Sequence, residues 1–424
     1  MNILLTGASG FIGTHLLARL RTEGHRVIAC TRQPKRRLGD GEYFACDFTR
    51  DTQDGDWLAR LAEIEVVINA VGIIRETRGQ KLDTLHSDAP AALFRAATRC
   101  GVRKVIQISA LGADEHAQST YHLSKRAADD VLASLDVEWT VLRPSIVYGP
   151  GAKSMALFRA LAALPITPLV GQGEQPVQPI HIDDLVEVVV QCLEREKLNA
   201  QRLDLVGPQP ITLKALLQKQ RAWLGGDALR AVAVPYGLSV RMAQVGGFFG
   251  SAPIDAQTVR MLQRGNTGDV GPLQAACGFV PRSLDEALRR SPATEADKWH
   301  ARLYFLAPAL RWALAALWLF TAFVSAFAYP TELSYALLAE VGIEGPFAPY
   351  GLYGAAAIDL LMGFALMTRF HIGAVAVLQV VLIVGYTLII SVALPEFWLH
   401  PFGPVSKNVT LIVATLIMMQ LERR

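Results

Sequence analysis

The first fourteen residues, Met1-Asn-Ile-Leu-Leu-Thr-Gly-Ala-Ser-Gly-Phe-Ile-Gly-Thr14, restrict the fold more than any other stretch. Residues 2–6 are a short apolar run of the kind that forms a buried parallel strand. Gly7, Gly10 and Gly13 follow at three-residue spacing, and residues 14–22 read as a helix. Strand, glycine turn and helix in that order present free backbone N–H groups and a positive helix end to a pyrophosphate. Gly7 permits the tight turn, Gly10 lets phosphates approach the backbone and Gly13 lets the helix lie on the strand. Ser9, Phe11 and Ile12 complete the loop, whose expected ligand is a dinucleotide.

The second strand, residues 26–31, runs into Arg32, with Lys35, Arg36 and Arg37 behind it and no acidic residue before Asp40. An acidic residue there would serve the ribose 2′-hydroxyl of NAD, whereas a 2′-phosphate needs a cation. The sequence therefore points to NADP(H), with Arg32 as the main contact, NAD as the alternative and a solvated basic loop as the non-binding reading. Residues 42–46 form a third strand ending at Asp47, whose carboxylate can accept from an adenine amino group. Residues 66–70 form a fourth, leading into Asn69-Ala-Val-Gly72, where Ala70, Val71 and Gly72 let the strand end lie close to a cofactor. A helical pattern over 89–100 and a fifth strand over 105–109 continue the alternation. The expected fold class is α/β, a Rossmann-type doubly wound parallel sheet with its ligand at the carboxyl ends of the strands.

Ser109 ends the fifth strand, and Tyr121-His-Leu-Ser-Lys125 follows shortly after. On a helix, Tyr121 and Lys125 share a face. A nearby ammonium lowers a phenol pKa from about 10, so Tyr121 is expected to exchange a proton near neutrality while Lys125 also holds the nicotinamide ribose. Ser109 is expected to hydrogen-bond a substrate carbonyl and its developing oxyanion.

Taken together, residues 7–13, Asp47, Asn69-Ala-Val-Gly72, Ser109, the Tyr121/Lys125 pair and Leu142-Arg-Pro-Ser-Ile-Val-Tyr-Gly149 resemble the extended short-chain dehydrogenase/reductases. Ile108-Ser-Ala-Leu-Gly112 and Pro179-Ile-His-Ile-Asp-Asp184 resemble, more narrowly, the atypical branch related to the NDUFA9 subunit of respiratory complex I. The resemblance covers roughly the first 290 residues. It implies that residues 144–147, Pro144 first, line the nicotinamide end and that residues 181–184 border the substrate side. It also implies an asparagine in the helix after the fourth strand. The aligned position here is His86, which leaves a replacement for the asparagine's water contact or a surface residue as the two readings. Members of this branch often bind the nucleotide without a demonstrated reaction.

His181 beside Asp183 and Asp184 does not make a metal site, because no second histidine stands at helical spacing and the segment reads as an N-capped helix start. The five cysteines, Cys30, Cys46, Cys100, Cys192 and Cys277, are scattered without CxxC pairs and read as small buried hydrophobes in a reducing compartment. Lys+Arg 41 against Asp+Glu 38 leaves no basic field for nucleic acid. No basic segment precedes the first strand, so no signal peptide is expected. A strand over 202–206 and an amphipathic helix over 213–223 are expected to open a small cap, mainly residues 203–290. Gly246, Gly247 and Gly250 around Phe248-Phe249 could line a lipophilic substrate site or form plain loop. A polar linker follows over 291–297.

Hydrophobic residues make up 51% of the 424, and mean hydropathy is +0.28, because the chain changes character near Leu303. Apolar stretches over 306–328, 350–368, 372–394 and 405–421 are each near the ~20 residues that cross a bilayer, so four spans are expected. Arg302, Arg311, Arg369, Arg423 and Arg424 fall at one set of ends, while the first connection, 329–349, carries Glu332, Glu340 and Glu344 and no Lys or Arg. Both termini are therefore expected in the cytoplasm, with the chain in a bacterial inner membrane. Asp359 in the second span and Lys407 at the start of the fourth are expected to meet as a structural ion pair or to form a proton or quinol-head site. Gly351-Leu-Tyr-Gly354, Asp359 and residues 400–408 resemble DoxX-like four-helix membrane domains, some of which work with quinones.

The sequence thus anticipates two parts, residues 1–297 and 298–424: an NADP(H)-dependent oxidoreductase acting on a lipophilic carbonyl or quinone-like substrate, held at a membrane. Its alternative is a non-catalytic nucleotide-binding subunit or assembly factor of a membrane respiratory complex. A complex partner or homo-oligomer fits both, with membrane lipid as neighbour and no nucleic acid.

Overall fold

The structure, a computed structural model, describes residues 1–32, 41–77, 79–248 and 256–422. The chain divides into two compact units, Met1–Ala301 and Arg302–Arg424.

In the first unit, strands and helices alternate as β1 (Asn2–Thr6), α1 (Phe11–Thr22), β2 (Arg26–Thr31), β3 (Tyr43–Ala45), α2 (Gly55–Leu58), β4 (Val66–Asn69), α3 (Ala89–Arg99), β5 (Lys104–Ile108), α4 (Thr120–Ala133) and β6 (Glu138–Pro144). They continue through β7 (Val147–Tyr148), α5 (Lys153–Ala163), β8 (Thr167–Val170), β9 (Pro176–Val177), β10 (Ile180–His181), α6 (Ile182–Glu194) and β11 (Gln201–Leu205). Seven of the strands form one parallel sheet in the order β11-β6-β5-β4-β1-β2-β3. Alternation along the strands builds two layers. Ile3 and Leu5 join Leu16, Leu20, Leu185 and Val189 on the α1/α6 face. Leu4 joins Val67, Val105, Leu93, Phe94 and Leu132 on the α3/α4 face.

Several expectations need correction here. Helix α1 begins at Phe11, not at residue 14, because Gly10 already occupies the cap. The strand assigned to the cap, β11, is the edge strand of the main sheet, paired in parallel with β6. What packs beside the sheet is a third cluster of Tyr148, Met155, Phe158, Leu169, Val177, Leu213, Leu216 and Leu284. The segment read as a polar linker enters helix Glu295–Leu303. Cys30 and Cys46 are not isolated: parallel pairing of β2 with β3 brings their Cα atoms to 5.7 Å, and they are joined as a disulfide pair. Their sixteen-residue separation carries no motif, so only the pairing reveals it. Lys35, Arg36, Arg37, Asp40, Phe249, Gly250, Arg423 and Arg424 lie outside the described residues, as do the side chains of Gly246, Gly247 and Phe248.

In the second unit, three helical segments are long and apolar enough to cross a membrane: Leu306–Ala328, Phe347–Thr368 and Ile372–Ala393. The fourth expected span is the helix Lys407–Glu422, 16 residues, or about 24 Å at 1.5 Å per residue, shorter than a ~30 Å hydrocarbon core. Pro401, Gly403 and Pro404 delay its start. The first connection holds a further helix, Thr331–Glu340. Leu314, Trp318, Met362, Leu366, Ile383 and Met418 form the bundle core. At one end, Glu422 Oε1 accepts from Arg311 Nε at 3.1 Å while its other oxygen pairs with Arg369, and Arg311 Nη1 donates to Leu366 O at 2.7 Å. This gathers the cations that the sequence placed at matching helix ends. Asp359 and Lys407, by contrast, form no ion pair among the described residues; both line a cleft instead.

Candidate functional site

Strand order reverses between β1 and β4, and that is where an open α/β sheet leaves a crevice at its carboxyl end. Thr6 and Asn69 end these strands as register partners, and Asn69 pairs with Gln107 of β5. Thr6 Oγ1 donates to Asn69 Oδ1 at 2.5 Å, and Asn69 Nδ2 donates to Gln107 Oε1 at 2.7 Å. All three side chains are fully buried, so this ladder ties three strand ends into a rigid floor.

Above the floor, Gly7 leaves β1 at φ +68°, and a Cβ on it would lie 2.6 Å from Ala70 O. A Cβ on Gly13 would overlap Gly7 O, so α1 lies directly on the turn. Gly10 is different. It is exposed and caps α1 without a side-chain hydrogen bond, leaving the helix N-terminus open to an anion. Ser9 is exposed beside it, within 3.3 Å of Thr31 Oγ1, and Phe11 and Ile12 are half-buried in the first turn of α1.

Arg32 is exposed just beyond β2. Burial alone would raise the Asp47 pKa, but Thr49 N–H and Oγ1 donate to Oδ1 at 3.0 and 2.8 Å. With Arg32 and Arg50 nearby, the carboxyl titrates below its ordinary value. Asp47 therefore commits one oxygen to its own turn.

Helix α4 is capped by Ser119, whose Oγ accepts from His122 N–H at 3.1 Å. Tyr121, Lys125 and Asp129 then recur one turn apart on one face. Lys125 is buried, and its Nζ donates to Val71 O at 3.0 Å and Ile108 O at 3.1 Å, between the loops leaving β4 and β5. Gly72 is exposed directly over it: a Cβ there would meet Lys125 Nζ at 3.2 Å. Burial lowers the Lys125 pKa against the opposing Asp129 charge.

The expected lowering of the Tyr121 pKa is reversed. Burial and the Asp129 charge push the phenol up to about 12. Ser109 is also not an idle donor: its Oγ donates to Asp129 Oδ2 at 2.5 Å. Asp129 is fully buried, and burial raises its pKa against the Ser109 hydrogen bond and the charges of Lys125, Arg143 and Arg202. Pro144 ends β6, buried, with its carbonyl accepting from Leu111 N–H at 3.0 Å.

His86 is no surface residue. It is fully buried in a π-helical turn, Thr84–Asp88. Nε2 accepts from Ile73 N–H at 3.0 Å, which places the proton on Nδ1, facing Ser124 Oγ at 3.0 Å. Ser124 in turn donates to Tyr121 O at 2.9 Å, and the His86 ring meets the Tyr121 ring edge-on with centroids 5.5 Å apart. Burial, with the Lys125 charge, depresses its pKa to about 2, so it is a neutral strut between the β4 loop and α4. His181 caps α6 through Nδ1, accepting from Asp183 N–H at 3.2 Å, and lies edge-on to Tyr148.

The structure thus brings Ser109, Tyr121, Lys125 and Gly72 together and sets the residue 7–13 turn against Ala70. Asp129 and Ser124 were missed by sequence reasoning. Asp129 repeats the Tyr121/Lys125 spacing by four more residues, which was the available signal.

The profile of the NAD-dependent epimerase/dehydratase family matches residues 3–204, and that of the DoxX-like family matches residues 315–416. Ceramide reductase of Caulobacter vibrioides is 31% identical over 196 residues, 44% of this chain; the chain spans 59% of that relative's length. Subunit 9 of the NADH dehydrogenase [ubiquinone] 1 alpha subcomplex of Mus musculus is 26% identical over 303 residues, covering 67% of this chain and 78% of the relative. Among solved structures, UDP-glucuronic acid 4-epimerase from Bacillus cereus, in complex with UDP-glucuronic acid and NAD, superposes with a TM-score of 0.54. It has 18% identity and covers 72% of this chain and all of its own. A nucleoside-diphosphate-sugar epimerase from Staphylococcus aureus gives a TM-score of 0.56 at 16% identity, covering 68% of this chain and 100% of that one. These structures share the fold. The first unit is accordingly an NAD-dependent epimerase/dehydratase-family domain of the short-chain dehydrogenase/reductase type, and the second is a DoxX-like domain with three helices long and apolar enough to cross a membrane.

Proposed function

We propose that this protein is a membrane-anchored reductase that uses NADP(H) on a lipophilic carbonyl or quinone-like substrate. The observation that carries the reading is Lys125 Nζ, fixed by Val71 O and Ile108 O beneath the exposed Gly72, one turn from Tyr121 on the same helix face. The parts of the crevice support a dinucleotide as its ligand. The uncapped start of α1 at Gly10 suits the pyrophosphate, Asp47 the adenine end, Arg32 a 2′-phosphate, and the space over Gly72 and Pro144 the nicotinamide ribose. When bound, the nicotinamide supplies the hydride. Tyr121, protonated at every working pH, donates its phenolic proton to the carbonyl oxygen, and Lys125 offsets the charge left behind. Ser109, whose single hydroxyl proton goes to Asp129 in this structure, turns that proton to the substrate oxygen when substrate binds.

The ceramide reductase relative supports a lipid as the substrate class, and the membrane unit supports delivery of such a substrate. In this reading the three long helices and the shorter Lys407–Glu422 all cross a bacterial inner membrane, with Arg311, Arg369 and Glu422 at its cytoplasmic side. The test is purified full-length protein with NADPH and a ceramide-type ketone: turnover that Tyr121→Phe abolishes, and a preference for NADPH that Arg32→Glu shifts towards NADH. Activity untouched by Tyr121→Phe, or NAD co-purifying in place of NADP, would sink the respective claim.

A second reading has its own support. His86 stands as a neutral buried strut where extended members place asparagine, and the NADH dehydrogenase subunit relative fits a nucleotide-binding subunit or assembly factor without turnover. Co-purification with a large respiratory assembly, and NADPH left unoxidised by lipid ketones and quinones alike, would favour it.

A further inference from the structure

The helices of the second unit line an open cleft of about 580 Å³, a volume within the range of small-molecule sites. Most of its wall is apolar, built from residues such as Leu317, Ile383 and Leu411. Thr321, Tyr386, Asn408 and Thr410 add polar atoms to the lining, and three further groups, Asp359, Trp318 and Lys407, define its chemistry. Asp359, 6% exposed, and Trp318, 4% exposed, each keep one buried polar atom, Oδ1 and Nε1, without a hydrogen-bond partner among the described residues. Lys407 stands on the same wall from the first turn of its helix. A carboxylate at this depth is costly without a partner, and the lysine that the sequence offered as that partner does not pair with it. An unpaired carboxylate accepts hydrogen bonds, while an indole N–H and an ammonium donate them. An anionic head would face Asp359, and a cationic head would face Lys407. A neutral head with both a donor and an acceptor satisfies all three, and its tail fits the apolar wall.

We propose that this cleft is a binding site for an uncharged lipid-soluble molecule whose head combines an N–H or O–H donor, directed to Asp359, with a carbonyl-type acceptor for Trp318 and Lys407. The inference concerns the membrane unit and does not depend on turnover at Tyr121.

The experiment uses the full chain in phosphatidylethanolamine–phosphatidylglycerol nanodiscs. The probe is a long-chain N-(2-hydroxyethyl) amide carrying a diazirine and an alkyne on its tail, with the matched methyl ester, which lacks a donor, as control. Photolabelling by the amide should map to peptides lining the cleft, be competed by unlabelled amide and exceed that by the ester. Asp359→Asn should cut it about tenfold, as loss of a hydrogen bond to a charged acceptor does. The same substitution should raise the Tm of the probe-free protein, because an unpaired charge is removed. Ala414→Trp, which fills the cleft, should abolish labelling in protein that remains folded. Equal labelling by amide and ester, labelling unchanged in Asp359→Asn, or a lowered Tm in that variant (the mark of a purely structural partner) would each overturn the proposal.

Discussion

Ser109 Oγ lies 2.5 Å from Asp129 Oδ2, so the serine at the end of β5 donates to a fully buried carboxylate one helical turn beyond Lys125. The Asp129 charge also opposes the lowering of the Lys125 pKa by burial. Asp129→Ala removes the acceptor of a buried hydrogen bond to a charged group, and unfolding of the protein in denaturant should reveal a loss of about 1–3 kcal/mol. Asp129→Asn retains a partner for Ser109 and should lose far less. Ser109→Ala should lower turnover roughly tenfold and Tyr121→Phe more than about a hundredfold, since only the phenol transfers a proton. Equal losses in the two variants would contradict the division of roles.

Tyr121 is raised to about 12, so the phenol is the acid form across the working range. The reduction rate should therefore show no phenolic limb between about pH 6 and 9, while the reverse oxidation, which needs the phenolate, should rise up to tenfold per pH unit over that interval. Initial rates in both directions against pH measure this.

His86 makes a pH-stability prediction whose sign follows from its depressed pKa. Folded, it stays neutral down to about 2; unfolded, it takes up a proton near 6.5. As pH falls below about 6.5 the unfolded state binds more protons, so stability is lost by up to about 1.4 kcal/mol per pH unit from this residue, and it is fully present above that pH. His86→Gln should flatten the acid side of a Tm-against-pH curve; a curve of unchanged slope would mean that His86 is charged in the folded protein.

Two glycines separate folding from binding. A Cβ on Gly13 overlaps Gly7 O, backbone that cannot move aside, and Gly13→Ala should destabilise the first unit by about 1–3 kcal/mol. Gly72→Ala adds an exposed methyl 3.2 Å from Lys125 Nζ. Its Tm should stay close to wild type while nucleotide affinity, read by titration of intrinsic fluorescence, falls.

In the membrane unit, Glu422 bridges the buried Arg311 and Arg369. Glu422→Gln leaves a fully buried guanidinium without its carboxylate, at a cost of about 3–5 kcal/mol, visible as a lower unfolding temperature in detergent. Arg369→Gln should cost less, because Arg369 is partly exposed and Arg311 would keep its partner.

How much of this was legible depended on how far each interaction reaches along the chain. Runs of strand and helix period gave β1, β2, β4 and α3 within a residue or two, because local pattern specifies a buried parallel strand or an amphipathic helix directly. The residue 7–13 turn could be read for the same reason: glycine spacing, positive φ and helix start are all local. The apolar stretches announced a membrane unit, although Pro401, Gly403 and Pro404 made the last helix shorter than its composition implied.

What remained was decided by side chains brought together over long separations. Asp129 meets Ser109 across twenty residues, Cys30 meets Cys46 only because β2 pairs with β3, and Glu422 meets Arg311 more than a hundred residues away. Pairing Asp359 with Lys407 assumed that two charges in one bilayer must meet, whereas the bundle sets both on the wall of a cleft. Sequence alone determined that a dinucleotide-type α/β unit is followed by a set of membrane helices. Tertiary structure decided which ionisable groups are paired, buried or left facing open space, because charge and proton affinity depend on neighbours and desolvation that no local pattern encodes.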